Sequence, residues 1–186
     1  MPSSNNESYF HASPQETRFQ AQSNRSSVSV YRVCLVKDQS LSFGNSKVGN
    51  ANQAHTLIRH LILTRGQPDR EHFVVAMLST KNDLIGLNIV SVGALASTTV
   101  HPREVLKPAI LANSASIILC HNHPSCDLDP SADDIAITRT LIRASESVGI
   151  TVHDHLIISM ENDSYFSFAD QGLIAKFRSE IGRPTA

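Results

Sequence analysis

From Ile117 to Asp134 the chain can fold in very few ways. Ile117-Ile118-Leu119-Cys120 is short, continuous and apolar, the mark of a strand buried on both faces. His121 and His123 follow at its end, and side chains two apart on an extended chain point the same way. Eight residues on comes Ser131, then Asp134, then the helical apolar spacing of Ile135, Leu141 and Ile142. Ser-x-x-Asp at such a point predicts a helix start, with Ser131 as the cap and Asp134 in the first turn. A loop through Pro124 and Pro130 would bring Asp134 back over the two imidazoles. Two nitrogens, one oxygen and a free fourth position form the donor set of a catalytic zinc, whereas a structural zinc is closed by four protein ligands.

His-x-His, seven residues, Ser, two residues, Asp resembles the JAMM signature of the MPN/JAB metalloproteases. His121-Asn122-His123-Pro124-Ser125, followed by Pro130-Ser131-x-x-Asp134, is similar to the bacterial RadC-like branch of that family. Further landmarks of that branch stand in order: Glu71-His72-Phe73-Val74, Lys81-Asn82, Val92-Gly93, His101-Pro102-Arg103-Glu104-Val105, Gly149-Ile150, Asp154-His155 and Phe166-Ser167. The resemblance covers roughly residues 28–175. It implies an MPN/JAB-like, cytidine-deaminase-like domain, one zinc per chain on His121, His123 and Asp134, and hydrolysis of a peptide or isopeptide bond. Two positions depart from the pattern: Cys126 stands where the branch has Gly, and Leu128 where it usually has Pro. A Gly in such a loop often adopts a left-handed backbone, which would cost a Cys about 1–2 kcal/mol. Longer members carry a helical, DNA-binding-like segment ahead of this domain, and no such pattern is read here.

Amide hydrolysis at a zinc site needs a carboxylate to move protons and a donor for the developing oxyanion. Glu71 is the expected base, because an idle carboxylate at the start of a strand apolar on both sides is costly to bury. The resemblance places an upstream glutamate there as well. Ser131 fits the donor role, which the matching serine has in JAMM enzymes; it also fits a helix cap alone. Glu104 is a reserve base, though a first-turn helix acid after Pro102 explains it. Asp154 sits among Val152, Leu156 and Ile158, so it should bond either a ligand imidazole or a neighbouring loop. Cys126 as a fourth ligand would close the site to water.

Composition narrows the rivals. Sixteen Lys plus Arg against seventeen Asp plus Glu give no basic stripe for nucleic-acid binding, which disfavours a metal-dependent nuclease. A metal-dependent factor acting in DNA repair stands as one alternative. An MPN-like scaffold without turnover is the alternative from another class. Three Cys with no Cys-x-x-Cys pair suit a reducing cytoplasm, and no apolar run approaches a membrane span.

The expected organisation is a Ser/Asn/Gln-rich disordered tail over 1–27, a lead-in strand and loop over 28–50, a metal-binding domain over 51–175 and a charged tail over 176–186. The lead-in strand is Val28–Val36. A helix follows Asn50 and ends at Gly66. Strands at Glu71–Leu78 and Leu84–Val92 form a hairpin, with loop or short strand over 93–99. Pro102 opens a helix to about Asn113, with a kink or break expected at Pro108. The motif strand, a helix over 132–148, a strand over 150–159 and a short one at Phe166–Phe168 complete the pattern. The fold class is α/β (α+β), a mixed sheet flanked by helices.

Overall fold

The computed structural model describes residues 28–42, 47–93 and 100–181. The tail expected over 1–27 and most of the loop over 93–99 lie outside the described residues. Residues 1–32 and 33–186 form separate compact units. Of the first, residues 28–32 are described, and they carry no helix or strand.

In the second unit, α1 (Ala51–Arg65) starts where Asn50 accepts the Gln53 N–H. The Gln53 side chain reaches back to the Gly49 N–H at 2.7 Å, so the Asn50 and Gln53 side chains together satisfy backbone donors at the helix start. β1 (His72–Leu78) and β2 (Leu84–Val92) are the hairpin, turned through Asn82 at φ 60°. α2 (Pro102–Leu111) begins on Pro102. β3 (Ser116–Asn122) pairs antiparallel with β1, and β4 (Thr151–Ile158) pairs parallel with β3 through α3 (Ala132–Ser147). Gly149, at φ 72°, closes α3 in the left-handed region that glycine enters at no steric cost. β5 (Tyr165–Ser167) and α4 (Leu173–Glu180) end the described chain. The sheet order is β2-β1-β3-β4-β5.

β1 and β3 are buried along their whole length, as strands apolar on both faces require. Val74, Ala76 and Leu78 pack with Leu57, Ile58 and Ile62 of α1. Phe73, Val75 and Met77 join the opposite core, with Val105 of α2, Leu141 of α3 and Phe177 of α4. The mixed sheet therefore lies between two helical layers. The motif sits where β3 leaves the sheet on the α3 side.

Three expectations are corrected. The run Val28–Val36 is not a strand: it has no ladder partner among the described residues, and Val28 and Val30 are 86% and 95% exposed. β-branched residues suit a pleated surface but do not make a strand without a neighbour to pair with. The break considered at Pro108 does not occur, and α2 continues through it as one helix. Proline at 108 removes the bond that an N–H there would make to the Glu104 carbonyl, and Pro108 is buried with Val105, Leu106 and Ala109. Finally, residues from 176 do not begin a tail, because α4 spans that boundary and buries Ile174 and Phe177. Arg139 of α3 lies 4.6 Å over the Phe177 ring, and Arg178 donates to the Val152 carbonyl at 2.9 Å.

Candidate metal centre

His121 is the penultimate residue of β3, paired with Phe73 on one side and Ile157 on the other. Its ring is fully buried and lies nearly parallel to that of Phe73, 6.1 Å between centroids. His123 lies one step beyond the ladder and is partly exposed. Its Nδ1–H donates to the Asp127 carbonyl at 2.6 Å, which aims Nε2 at His121. The turn behind it is closed by the Cys126 N–H on the His123 carbonyl, 2.9 Å, with Cys126 at φ 57°. The left-handed geometry expected of the family Gly is therefore kept by a cysteine.

Ser131 caps α3 in a capping box with Asp134. Its Oγ accepts the Asp134 N–H at 3.1 Å and donates to Asp134 Oδ2 at 2.6 Å, while its own N–H donates to the same oxygen at 2.8 Å. The hydroxyl proton is thus directed at the carboxylate and orients it. Replacing Ser131 by alanine should cost about 1 kcal/mol of stability, read as a lowered denaturation midpoint. An unchanged midpoint would show that the box adds nothing.

The Asp134 carboxylate is buried against both imidazoles. Oδ1 lies 3.1 Å from His121 Nε2, Oδ2 lies 3.4 Å from His123 Nε2, and the two Nε2 atoms are 3.0 Å apart. Burial alone would raise the Asp134 pKa, but its bonds with His121 and His123 hold it far below the usual carboxylate range. The Asp134 contact in turn raises His123, against the opposing effect of burial.

Glu71 immediately precedes β1 and is 9% exposed. It, His121 and His123 each offer a ligand atom, all within 4.8 Å of one another. Asn122, pointing the opposite way from the two histidines, staples the backbone on either side of Glu71. Its Oδ1 accepts the His72 N–H and its Nδ2 donates to the Arg70 carbonyl, both at 2.9 Å. The Glu71 carbonyl itself accepts from the Gly93 N–H, 2.9 Å.

All five expected site residues thus converge at one end of the sheet. Others stand apart. Glu104 is exposed and bonded to Lys107 at 2.8 Å, an ion pair that lowers its pKa. Cys126 does not join the metal-capable group among the described residues. Asp154 takes the second of its two expected roles: it accepts from the His155 and Ala169 N–H groups and the Ser167 hydroxyl, 2.6–2.8 Å, and so holds the chain after β5. Burial raises its pKa in spite of these bonds.

Two residues behind the site were given no role by the sequence, Thr138 and His155, the latter noted only as a landmark beside Asp154. His155 Nε2 lies 2.9 Å from His121 Nδ1, and its Nδ1 lies 2.6 Å from Thr138 Oγ1. Burial drives the His155 pKa well down. A polar ring buried beside a candidate ligand strand was the available signal, since such a ring must find a partner.

A sheet of this order with a His/His/acid cluster at the end of its third strand is the architecture of a JAB domain. The sequence profile of the RadC-like JAB domain matches residues 48–173, and the chain belongs to that family. It is similar to the UPF0758 protein of Rubrobacter xylanophilus, 48% identical over 106 residues, which are 57% of this chain and 45% of that one. It is 43% identical to the UPF0758 protein of Clostridium acetobutylicum over 133 residues, 72% of this chain and 56% of that one. A Syntrophomonas wolfei UPF0758 protein is 51% identical over 106 residues, 57% and 44% of the two chains. The chain thus spans about half the length of the curated relatives it matches. No helix among the described residues is long and apolar enough to cross a membrane.

Proposed function

We propose that the chain holds one zinc ion on His121 Nε2, His123 Nε2 and the Asp134 carboxylate, and hydrolyses an amide bond of a peptide or isopeptide. The observation that carries this reading is the convergence of three side chains: the two Nε2 atoms lie 3.0 Å apart, with Asp134 Oδ1 3.1 Å from that of His121 and Oδ2 3.4 Å from that of His123. Ligands about 2.0–2.1 Å from a tetrahedral ion stand roughly 3.3 Å apart, and two nitrogens with an oxygen suit zinc. Bound there, zinc would lower the pKa of a water to about 7 and polarise a substrate carbonyl.

The chain's own residues supply the remainder. Asp134 brings the negative charge, and Ser131 holds its carboxylate in place. Glu71, within reach of both imidazoles, takes a proton from the attacking water and passes it to the leaving nitrogen. His121 and Asp134 are almost fully buried whereas His123 is partly exposed, so a substrate would approach from the His123 side.

Purified wild type should contain about one zinc per chain by elemental analysis, and His123→Ala or Asp134→Ala far less. Equal zinc in wild type and both variants would sink the assignment. Wild type that holds zinc yet cleaves no member of a broad peptide and isopeptide panel would favour the scaffold reading.

A further inference from the structure

His121 is gripped from behind through a chain of hydrogen bonds that runs from its Nδ1 to the Asp134 main-chain oxygen. Asp134 Oδ1 faces His121 Nε2 at 3.1 Å, and His121 Nδ1 lies 2.9 Å from His155 Nε2. His155 Nδ1 lies 2.6 Å from Thr138 Oγ1, which lies 2.5 Å from the Asp134 main-chain oxygen. Thr138 stands one helical turn after Asp134 on α3, so the residue whose carboxylate faces His121 Nε2 also anchors the far end of the chain.

The protons on this chain have one consistent placement. A carbonyl oxygen can only accept, so the Thr138 hydroxyl donates to Asp134. That uses its single proton, and it must accept from His155 Nδ1–H. His155 has a hydroxyl and an imidazole as partners and lies between the Phe73 and Phe168 rings, centroids 5.5 and 5.0 Å away. A cationic ring is not sustained among such neighbours, so His155 Nε2 carries a lone pair. His121 Nδ1–H donates to it. Nε2 is then the His121 atom left to ligate, and it is the one that faces His123 and Asp134.

We infer that His155 and Thr138 are positioning residues that lock His121 in its Nδ1–H tautomer and fix the ring plane, so that the ligand lone pair is formed before any ion arrives. The inference deepens the metal reading and rests on it. Thr138 makes the assignment specific, because without its hydroxyl the His155 Nδ1–H has no acceptor. His155 would then move its proton to Nε2, His121 would have to accept at Nδ1, and its proton would go to Nε2, where it blocks ligation.

Nitrogen-15 NMR of histidine-labelled wild type reads the tautomers directly. The expected result is Nδ1–H on both His121 and His155, and a proton on His155 Nε2 would overturn the inference. Competition with a chelator should show zinc affinity falling about 10–100-fold in Thr138→Val, with Thr138→Ser returning it close to wild type. Thr138→Val with wild-type affinity and unchanged tautomers would also overturn it. Wild type that holds no zinc while showing both Nδ1–H tautomers would remove the metal reading and leave the chain of bonds standing. If Thr138→Val does not fold, the wild-type spectrum alone decides.

Discussion

Glu71→Gln is expected to keep its zinc and lose about 10²–10⁴-fold in turnover, once a hydrolysable substrate is in hand. Glutamine preserves the size of the side chain and most of its hydrogen bonding, so a structural role would be only mildly disturbed. What it lacks is a site for the proton that must leave the attacking water. On the proposed reading loss of Asp134 should differ in kind, because it removes the anion of the donor set and with it the metal. The pair is therefore read by two measurements, zinc content and rate. Glu71→Gln with zinc and full activity would refute the base assignment. Attention would then move to Glu104, the reserve base, which is exposed on α2 and paired with Lys107.

The largest effect expected on stability comes from Asp154→Ala. That carboxylate accepts from three donors, the His155 and Ala169 amides and the Ser167 hydroxyl. Stranding buried donors costs about 1–3 kcal/mol each, so a loss of at least about 3 kcal/mol should appear in chemical denaturation. Asp154→Asn should cost much less, because its Oδ1 can keep both amides while Ser167 reorients. Equal losses in the two variants would show that charge, and not the acceptor geometry, holds β5 and the turn into α4.

Most of the sheet was legible because its strands are of the easily read kind. β1 and β3 are continuous apolar runs, and the Asn82 and Gly149 turns carry residues that tolerate left-handed backbone. The site was legible for a local reason: four of its residues lie within fourteen positions, and strand and helix periodicity fix where they point. What failed was non-local. The apolar alternation at Val28–Val36 looks the same whether or not a ladder partner exists. α4 did leave a signal, in the spacing of Ile174, Phe177 and Ile181, but the surrounding Lys176, Arg178 and Glu180 gave it the look of a charged tail. His155 and Thr138 are seventeen residues apart and meet because β4 returns parallel to β3, a pairing that no local pattern encodes.

Asn122 gives the strand end a property that neither histidine has. Because neighbouring side chains alternate, His121 and Asn122 serve opposite faces of one sheet: the first belongs to the candidate centre, the second to the peptide groups around Glu71. The distance between Glu71 and the two histidines is therefore written into the pairing of β3 with β1, with Phe73 opposite His121, and not into the length of any loop. Insertions between Leu78 and Ser116 can change the hairpin and α2 without moving the chemistry, provided that the two strands keep step. The centre travels through sequence change as a property of register, carried by two strands whose tips are tied together by a single amide.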